Sequence, residues 1–215
     1  LRLCISAGAP LLASVAGAFT RAFGLKIHSF YGSSECGGIC YDRSDEPNYD
    51  DGWVGQPMDG VRLEHTAQRI AVHSAAVGDG YFPTPDPEVL SRGRFVPGDL
   101  VEERNGGCAI VGRSTDVINI AGRKLNPGEI EGRIAAFPGV RQVVVFGVPS
   151  ALRGEEPVAC VCGTGLDAAA LQRHCREHLS AWQMPRDFWF VEEIPVSDRG
   201  KISRPKLAAE YAAHR

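Results

Sequence analysis

Apolar positions in this chain fall into short runs, broken by glycine, proline and acidic turns. LRLCIS at 1–6 reads as a buried strand. PLLASVAGAFTRAF at 10–23 reads as a helix, with Pro10 in its first turn and Leu11, Val15, Ala18 and Phe19 on one face. LKIHSF at 25–30 is a second strand. Strand, helix, strand predicts a parallel α/β layer, and so short a piece cannot cover both faces of its sheet. From Tyr41 to Asp51 the chain is acidic and turn-rich, and reads as a surface loop. Residues 53–112 then read as all-β: VRLEH, QRIAVHS, RFVPGDLVEE and GCAIVGR are short runs separated by turn residues. In ERNGG, Asn105 and Gly106 supply the positive φ angles of a tight hairpin. GDGYFPTPDPE at 78–88 is too rich in proline and glycine for regular structure.

The pattern changes after residue 115, and the last hundred or so residues predict a small α+β domain. Asn126 can cap a helix that begins at Pro127, with Glu129 and Glu131 near its positive end. RQVVVFGVP at 141–149 and PVACVCG at 157–163 read as core strands, and DFWFVEEIP as a third. DAAALQRHCREHL at 167–179 is amphipathic, with Leu171, Cys175 and Leu179 four apart. RPKLAAEY at 204–211 reads as a terminal helix started by Pro205.

Composition is that of an ordinary globular protein: 215 residues, 44% hydrophobic and 23% charged. A net charge of −3 argues against a polyanion-binding surface, so no nucleic-acid partner is expected. No apolar run reaches the roughly 18 residues of a membrane span. Seven cysteines is an odd number for a disulfide framework, which favours reduced, mostly buried thiols and a cytoplasmic setting. Zinc held by His174, Cys175 and His178 is the weaker reading, because the spacing matches no usual tetrahedral set.

Candidate chemistry lies in five short stretches: SAGAP at 6–10, YGSSE at 31–35, PGDL at 97–100, GRSTDVINIAGRKLNPGEIE at 112–131 and SDRGKISRPKL at 197–207. Small residues after a strand, as in SAGAP, let backbone approach a flat ring; an ordinary tight turn is the plain alternative. In YGSSE, Tyr31 offers a flat face, Gly32 a close backbone, Ser34 a hydroxyl for a phosphate and Glu35 a hard oxygen for magnesium. The alternative is a turn with Glu35 solvated. The Asp99 carboxylate can accept from both hydroxyls of a ribose, or simply form a turn. Lys201 can bridge two anionic groups as charge moves between them, or be a solvated lysine.

In this order the five stretches resemble the signatures of the adenylate-forming, AMP-binding enzyme superfamily, most closely the acyl-CoA synthetases. The resemblance implies the C-terminal part of a large α/β domain with a small β-barrel-like region over 1–114, then a small mobile α+β domain over 115–215. It implies an adenine contact at Ala7, Gly8 and Ala9, further nucleotide contacts at Tyr31, Gly32 and Ser34, and magnesium at Glu35. Ribose contacts fall to Asp99 and Arg113. The same resemblance implies a hinge at Thr115, a passage for the pantetheine arm of CoA at Gly122, an acyl pocket lined by Cys36, Gly37 and Gly38, and a catalytic lysine at Lys201. ATP or AMP, magnesium and coenzyme A are the expected cofactors, with a carboxylic acid, fatty or aromatic, as substrate. The loop GVPSALRGEEP at 147–157 resembles a family segment linked to CoA.

This chain departs from the pattern in places. Ser34 stands for the usual Thr, Pro97 for Thr, Thr115 for a charged hinge residue and Ser150 for Asp. The family's phosphate loop is not in the sequence, so the chain is expected to be the C-terminal portion of a longer enzyme, inactive without its N-terminal half. Two other readings remain open here: an adenylation domain that loads a carrier protein, and a non-catalytic remnant that serves as a binding module.

Overall fold

The computed structural model describes residues 1–215 except 48, 49, 67, 68, 197–201 and 215. The chain divides into two compact units, Leu1–Val111 and Gly112–Arg215.

The first unit opens with strand β1 (Cys4–Ala7), helix α1 (Ala13–Phe23) and strand β2 (Ile27–Ser33). β1 and β2 pair in parallel, as strand, helix, strand requires. Strands β3 (Gly37–Tyr41) and β4 (Trp53–Pro57) continue the sheet antiparallel. β5 (Arg62–Thr66), β6 (Arg69–His73), β7 (Leu90–Ser91) and β8 (Arg94–Phe95) form a second sheet in the order β5-β6-β8-β7. β9 (Asp99–Arg104) and β10 (Gly107–Arg113) return to the first sheet, whose order is β1-β2-β3-β4-β10-β9. One core holds side chains of both sheets, among them Tyr31, Ile39, Val54, Ile70, Val72, Phe95 and Val101.

Several expectations change here. The β-rich region is two open sheets and not a closed barrel. RFVPGDLVEE is not one strand. It breaks at 96–98 between β8 and β9, because Pro97 offers no N–H to a ladder and the chain crosses from one sheet to the other. LRLCIS is not buried: β1 is an edge strand, and Leu1, Leu3 and Ile5 are exposed. Helix α1 starts at Ala13, where the Asp51 carboxylate accepts the Ala13 N–H at 2.7 Å. Leu12 offers no side-chain cap, so the cap comes from 38 residues away. Ala16 and Gly17, not Val15 and Ala18, are buried, since small residues allow close approach to the sheet.

The acidic loop is also less solvated than its composition suggests. Asp42 is fully buried and pairs with Lys26 at 2.8 Å, and Asp50 accepts from Asn105 at 3.2 Å. The hairpin between β9 and β10 forms as expected, with Asn105 at φ 48° and Gly106 at φ 72°.

The second unit contains β11 (Ile118–Ile120), β12 (Arg123–Leu125), α2 (Pro127–Ala135), β13 (Val140–Ser150), β14 (Gly154–Gly163), α3 (Ala168–His178), β15 (Asp187–Val191) and α4 (Arg204–His214). β13 and β14 form a long antiparallel hairpin, with β11 and β15 on β14 and β12 outside β11. Alternation divides the sheet into two buried faces. Val145, Ala159 and Val161 pack with α2 and α3, while Val144, Phe146, Val158 and Cys160 pack with α4. Covering both faces explains why these strands read as continuous apolar runs. Asn126 caps α2 by accepting the Gly128 N–H at 3.1 Å, and Asp167 caps α3 through the Ala170 N–H at 2.8 Å. Cys175 is buried in the core, while His174 donates to the Arg133 carbonyl, so these neighbours diverge. Among the described residues no helix is long and apolar enough to cross a membrane.

Candidate functional site

Parallel strands β1 and β2 end side by side, with Ala7 opposite Phe30. Gly8 then turns the chain at φ 86°, and Ala7, Gly8 and Ala9 are all exposed. Beyond Phe30 come Tyr31, Gly32 and Ser33, which extend β2 past the expected strand end, then the turn Ser34–Cys36. Two of the stretches singled out by sequence therefore meet at the carboxyl ends of a parallel pair, where α/β sheets bind ligands. Gly32 fits because a Cβ there would stand 2.6 Å from the Gly37 carbonyl oxygen.

Asp99 joins them from the other end of the unit. The Pro97 and Gly98 break delivers it at the start of β9, and the Tyr31 hydroxyl donates to its Oδ2 at 2.8 Å. Burial, then the Asp99 charge and this hydrogen bond, push the Tyr31 phenol up, so the hydroxyl stays protonated and donates. Tyr31 is only 7% exposed: its ring is core, and its contribution to the site surface is the hydroxyl, not an open face.

Glu35 is fixed by a segment the sequence left as irregular. The Gly78 N–H donates to the Glu35 carbonyl at 2.8 Å, and the Tyr81 hydroxyl donates to Glu35 Oε1 at 3.1 Å. Tyr81 was missed as a site residue, and its only sequence signal was a lone tyrosine among glycines and prolines. Ser34 is exposed beside this carboxylate. Cys36 is fully buried, with its thiol near Ser33 Oγ at 3.4 Å, so it has no surface to offer an open pocket. A Cβ on Gly38 would collide with the Met58 sulfur and the Phe30 ring, so Gly38 lies close under those side chains.

In the second unit Arg113 and Thr115 are exposed, and Thr115 donates to Asp116 Oδ1 at 3.2 Å. Ala121 and Gly122 turn between β11 and β12 with φ of 51° and 84°, and Asn119 Oδ1 accepts the Gly122 N–H at 3.0 Å. A Cβ at Gly122 would meet open space. That space is a cleft of about 470 Å³ lined by Asn119, Ala121, Gly122, Leu152, Arg153, Gly154 and Glu155. It brings Gly122 together with the 147–157 loop, two segments separated in sequence. Lys201 lies outside the described residues.

Comparison with known proteins is consistent across the chain. Residues 129–201 match the AMP-binding enzyme C-terminal domain. The structure of ATP-bound MatB from Rhodopseudomonas palustris superimposes with a TM-score of 0.90 at 29% identity, covering 98% of this chain and 45% of that one. Residues 129–201 belong to the AMP-binding enzyme C-terminal domain family. Similar AMP-binding proteins include a long-chain-fatty-acid–CoA ligase of Salmonella typhimurium, 30% identical over 98% of this chain and 40% of its own length. A sulfoacetate–CoA ligase of Cupriavidus necator is 29% identical, over 96% of this chain and 44% of its length. The anthranilate CoA ligase AuaEII, solved with anthranoyl-AMP, gives a TM-score of 0.84 at 25% identity, over 100% of this chain and 46% of its own. The chain thus spans less than half the length of the ligases it matches.

Proposed function

We propose that this chain is the C-terminal portion of an AMP-forming acyl-CoA synthetase. A carboxylic acid attacks the α-phosphate of ATP, giving acyl-AMP and pyrophosphate, and the thiol of CoA then displaces AMP. The observation that carries the reading is the Tyr31–Asp99 hydrogen bond, which ties a ribose-competent carboxylate to the turn at the ends of β1 and β2.

Ala7, Gly8 and Ala9 form the adenine contact, Asp99 and Arg113 take the ribose hydroxyls, and Ser34 donates to a phosphate oxygen. The Glu35 carboxylate is half-buried and oriented by Tyr81, which suits a cation held by one or two carboxylates and substrate phosphates. Magnesium bound there would neutralise phosphate charge. Lys201 stabilises the charge that passes from the acid to the α-phosphate. Residues 115–215 then turn about Thr115, withdrawing Lys201 and presenting the cleft at Gly122 to the CoA arm. Gly37 and Gly38 border the acyl site. Leu1, Leu3, Ile5, Leu12, Val15 and Phe23 are exposed apolar side chains of the β1 and α1 region, which supports packing against a further part of a full-length ligase.

The test joins this chain to the N-terminal segment of a matched CoA ligase and measures acid-dependent ATP–pyrophosphate exchange over fatty, aromatic and short acids. Exchange should require Asp99, and AMP release should then require CoA. Exchange that is indifferent to Asp99→Ala would sink the reading. AMP release driven by an amine or a carrier protein in place of CoA would move the chain to another branch, and amide bond synthetases are among the matched structures.

A further inference from the structure

The turn between β11 and β12 holds Ala121 and Gly122 at positive φ, and at 51° the Cβ of Ala121 disfavours that geometry. A backbone of this kind persists where its surroundings over-determine it. The Arg153 carbonyl accepts the Ala121 N–H at 2.7 Å, and Asn119 Oδ1 accepts the Gly122 N–H at 3.0 Å. Asn119 is itself held from β14, where Glu155 Oε2 accepts its backbone N–H at 2.7 Å. The register sets Ile120 against Gly154, which brings Glu155 beside Asn119. Gly147 of β13 makes room for the carboxylate, since a Cβ there would stand 2.9 Å from Glu155 Oε1. Asn119, Gly122 and Glu155 all line the cleft of about 470 Å³.

We propose that Glu155 is the positioning residue for the Gly122 turn, an inference that rests on the cleft at Gly122 passing the CoA arm. Contact runs from the Glu155 carboxylate to the Asn119 backbone, and from the Asn119 side chain to the Gly122 N–H. The first bond is charge-assisted and fixes the backbone from which the Asn119 side chain departs. The second closes the turn locally, through an asparagine oxygen and an N–H three residues on. A glycine gives passage to a ligand only while its backbone lies clear, and a fixed turn secures that. Glu155 also belongs to the 152–155 side of the cleft, so its bond holds that side at a set spacing from the 119–122 side. Without the carboxylate, the Asn119 N–H loses its acceptor and the strained turn loses an anchor. Glutamine keeps an acceptor oxygen at the same reach, whereas aspartate is one methylene too short.

The experiment uses the full-length joined ligase with Glu155→Ala, Glu155→Gln, Asn119→Ala, the Glu155→Ala/Asn119→Ala double variant and Gly122→Ala. Adenylate formation from ATP, thioester formation from supplied acyl-AMP with CoA below saturation, and thermal midpoints are measured for each. Glu155→Ala should slow thioester formation about tenfold, the scale of one hydrogen bond, and leave adenylate formation nearly normal. Glu155→Gln should recover most of the rate. Asn119→Ala should show the same split between the two steps, and in that background Glu155→Ala should cost nothing further. If Glu155→Ala does not fold, Glu155→Asp replaces it in the same cycle. Equal losses in the two steps would overturn the inference, because a merely structural role would damage both. A Glu155→Ala loss that persists in full without the Asn119 side chain would overturn it too, since the carboxylate would then act independently of the turn. So would an Asn119→Ala enzyme with normal thioester formation. Normal thioester formation by Gly122→Ala would overturn the reading beneath it, and is told apart by that single variant.

Discussion

Tyr31 donates its hydroxyl to Asp99 Oδ2 at 2.8 Å, joining positions 68 residues apart. Tyr31→Phe keeps the ring in the core and removes only the donor. It should destabilise the first unit by about 1.5–3 kcal/mol, the range for a hydrogen bond to a charged group. In the joined ligase it should also weaken ATP binding by removing one of the bonds that orient the Asp99 carboxylate. Urea denaturation and nucleotide titration check both effects. An unchanged midpoint with unchanged affinity would remove Tyr31 from the site.

Lys26 and Asp42 form a buried ion pair at 2.8 Å, with side-chain exposures of 8% and 0%. Burial raises the Asp42 carboxyl, but the bonds from Lys26 and Ser44 outweigh it and hold the group below its ordinary value. A carboxyl lowered in the folded state contributes stability that is complete above its unfolded pKa of about 3.9 and is lost as pH falls through the folded value. The wild-type chain should therefore lose this contribution only below about pH 4. Asp42→Ala should cost about 3–5 kcal/mol at neutral pH by leaving the Lys26 charge with only the neutral Ser44 oxygens as partners. Its stability should also fall less steeply in acid than that of the wild type. Parallel acid profiles for the two proteins would contradict the assignment.

Gly122→Ala puts a Cβ at φ 84° into open space, so it meets backbone strain and not collision. The expected stability loss is about 1–2 kcal/mol. In the joined ligase, adenylate formation should persist while thioester formation from supplied acyl-AMP and CoA falls steeply. Equal effects on the two steps would separate Gly122 from the CoA path.

Lys201→Ala should show the opposite split. Loss of one charge-stabilising contact costs about 3–4 kcal/mol, or roughly 10²–10³ in rate, and should fall on acyl-adenylate formation alone. Thioester formation from pre-made acyl-AMP should be nearly normal. Equal losses in a folded variant would show that the lysine has a different role.

The second unit, Gly112–Arg215, carries two apolar clusters of its own on the two faces of one sheet. Expressed by itself it should unfold in a single cooperative transition, as a core of about 100 residues permits. Limited proteolysis of the whole chain should cut near Ser114 and Thr115 and leave this piece. Early cleavage within 140–163 would argue against it.

The sequence by itself determined the elements whose causes are local. Asn126 before Pro127 marks a helix start because a side-chain acceptor and a fixed φ need no distant partner. Asn105 and Gly106 turn a hairpin through their own tolerance of positive φ. The apolar runs at 141–149 and 157–163 locate core strands, and the ordered short stretches carry the resemblance to the adenylate-forming enzymes. Tertiary structure decided what depends on partners far along the chain. Helix α1 begins where Asp51 caps it, 38 residues away, and not at Pro10. LRLCIS is apolar yet exposed, because burial is a property of what packs on a strand and not of the strand. Glu131 reads in sequence as a charge at a helix start. In the fold it accepts from both Arg204 and Val145, because α2, β13 and α4 converge there. Hydrogen bonds of this kind act only across about 3 Å, and only the folded chain brings residues 31 and 99, or 116 and 204, that close.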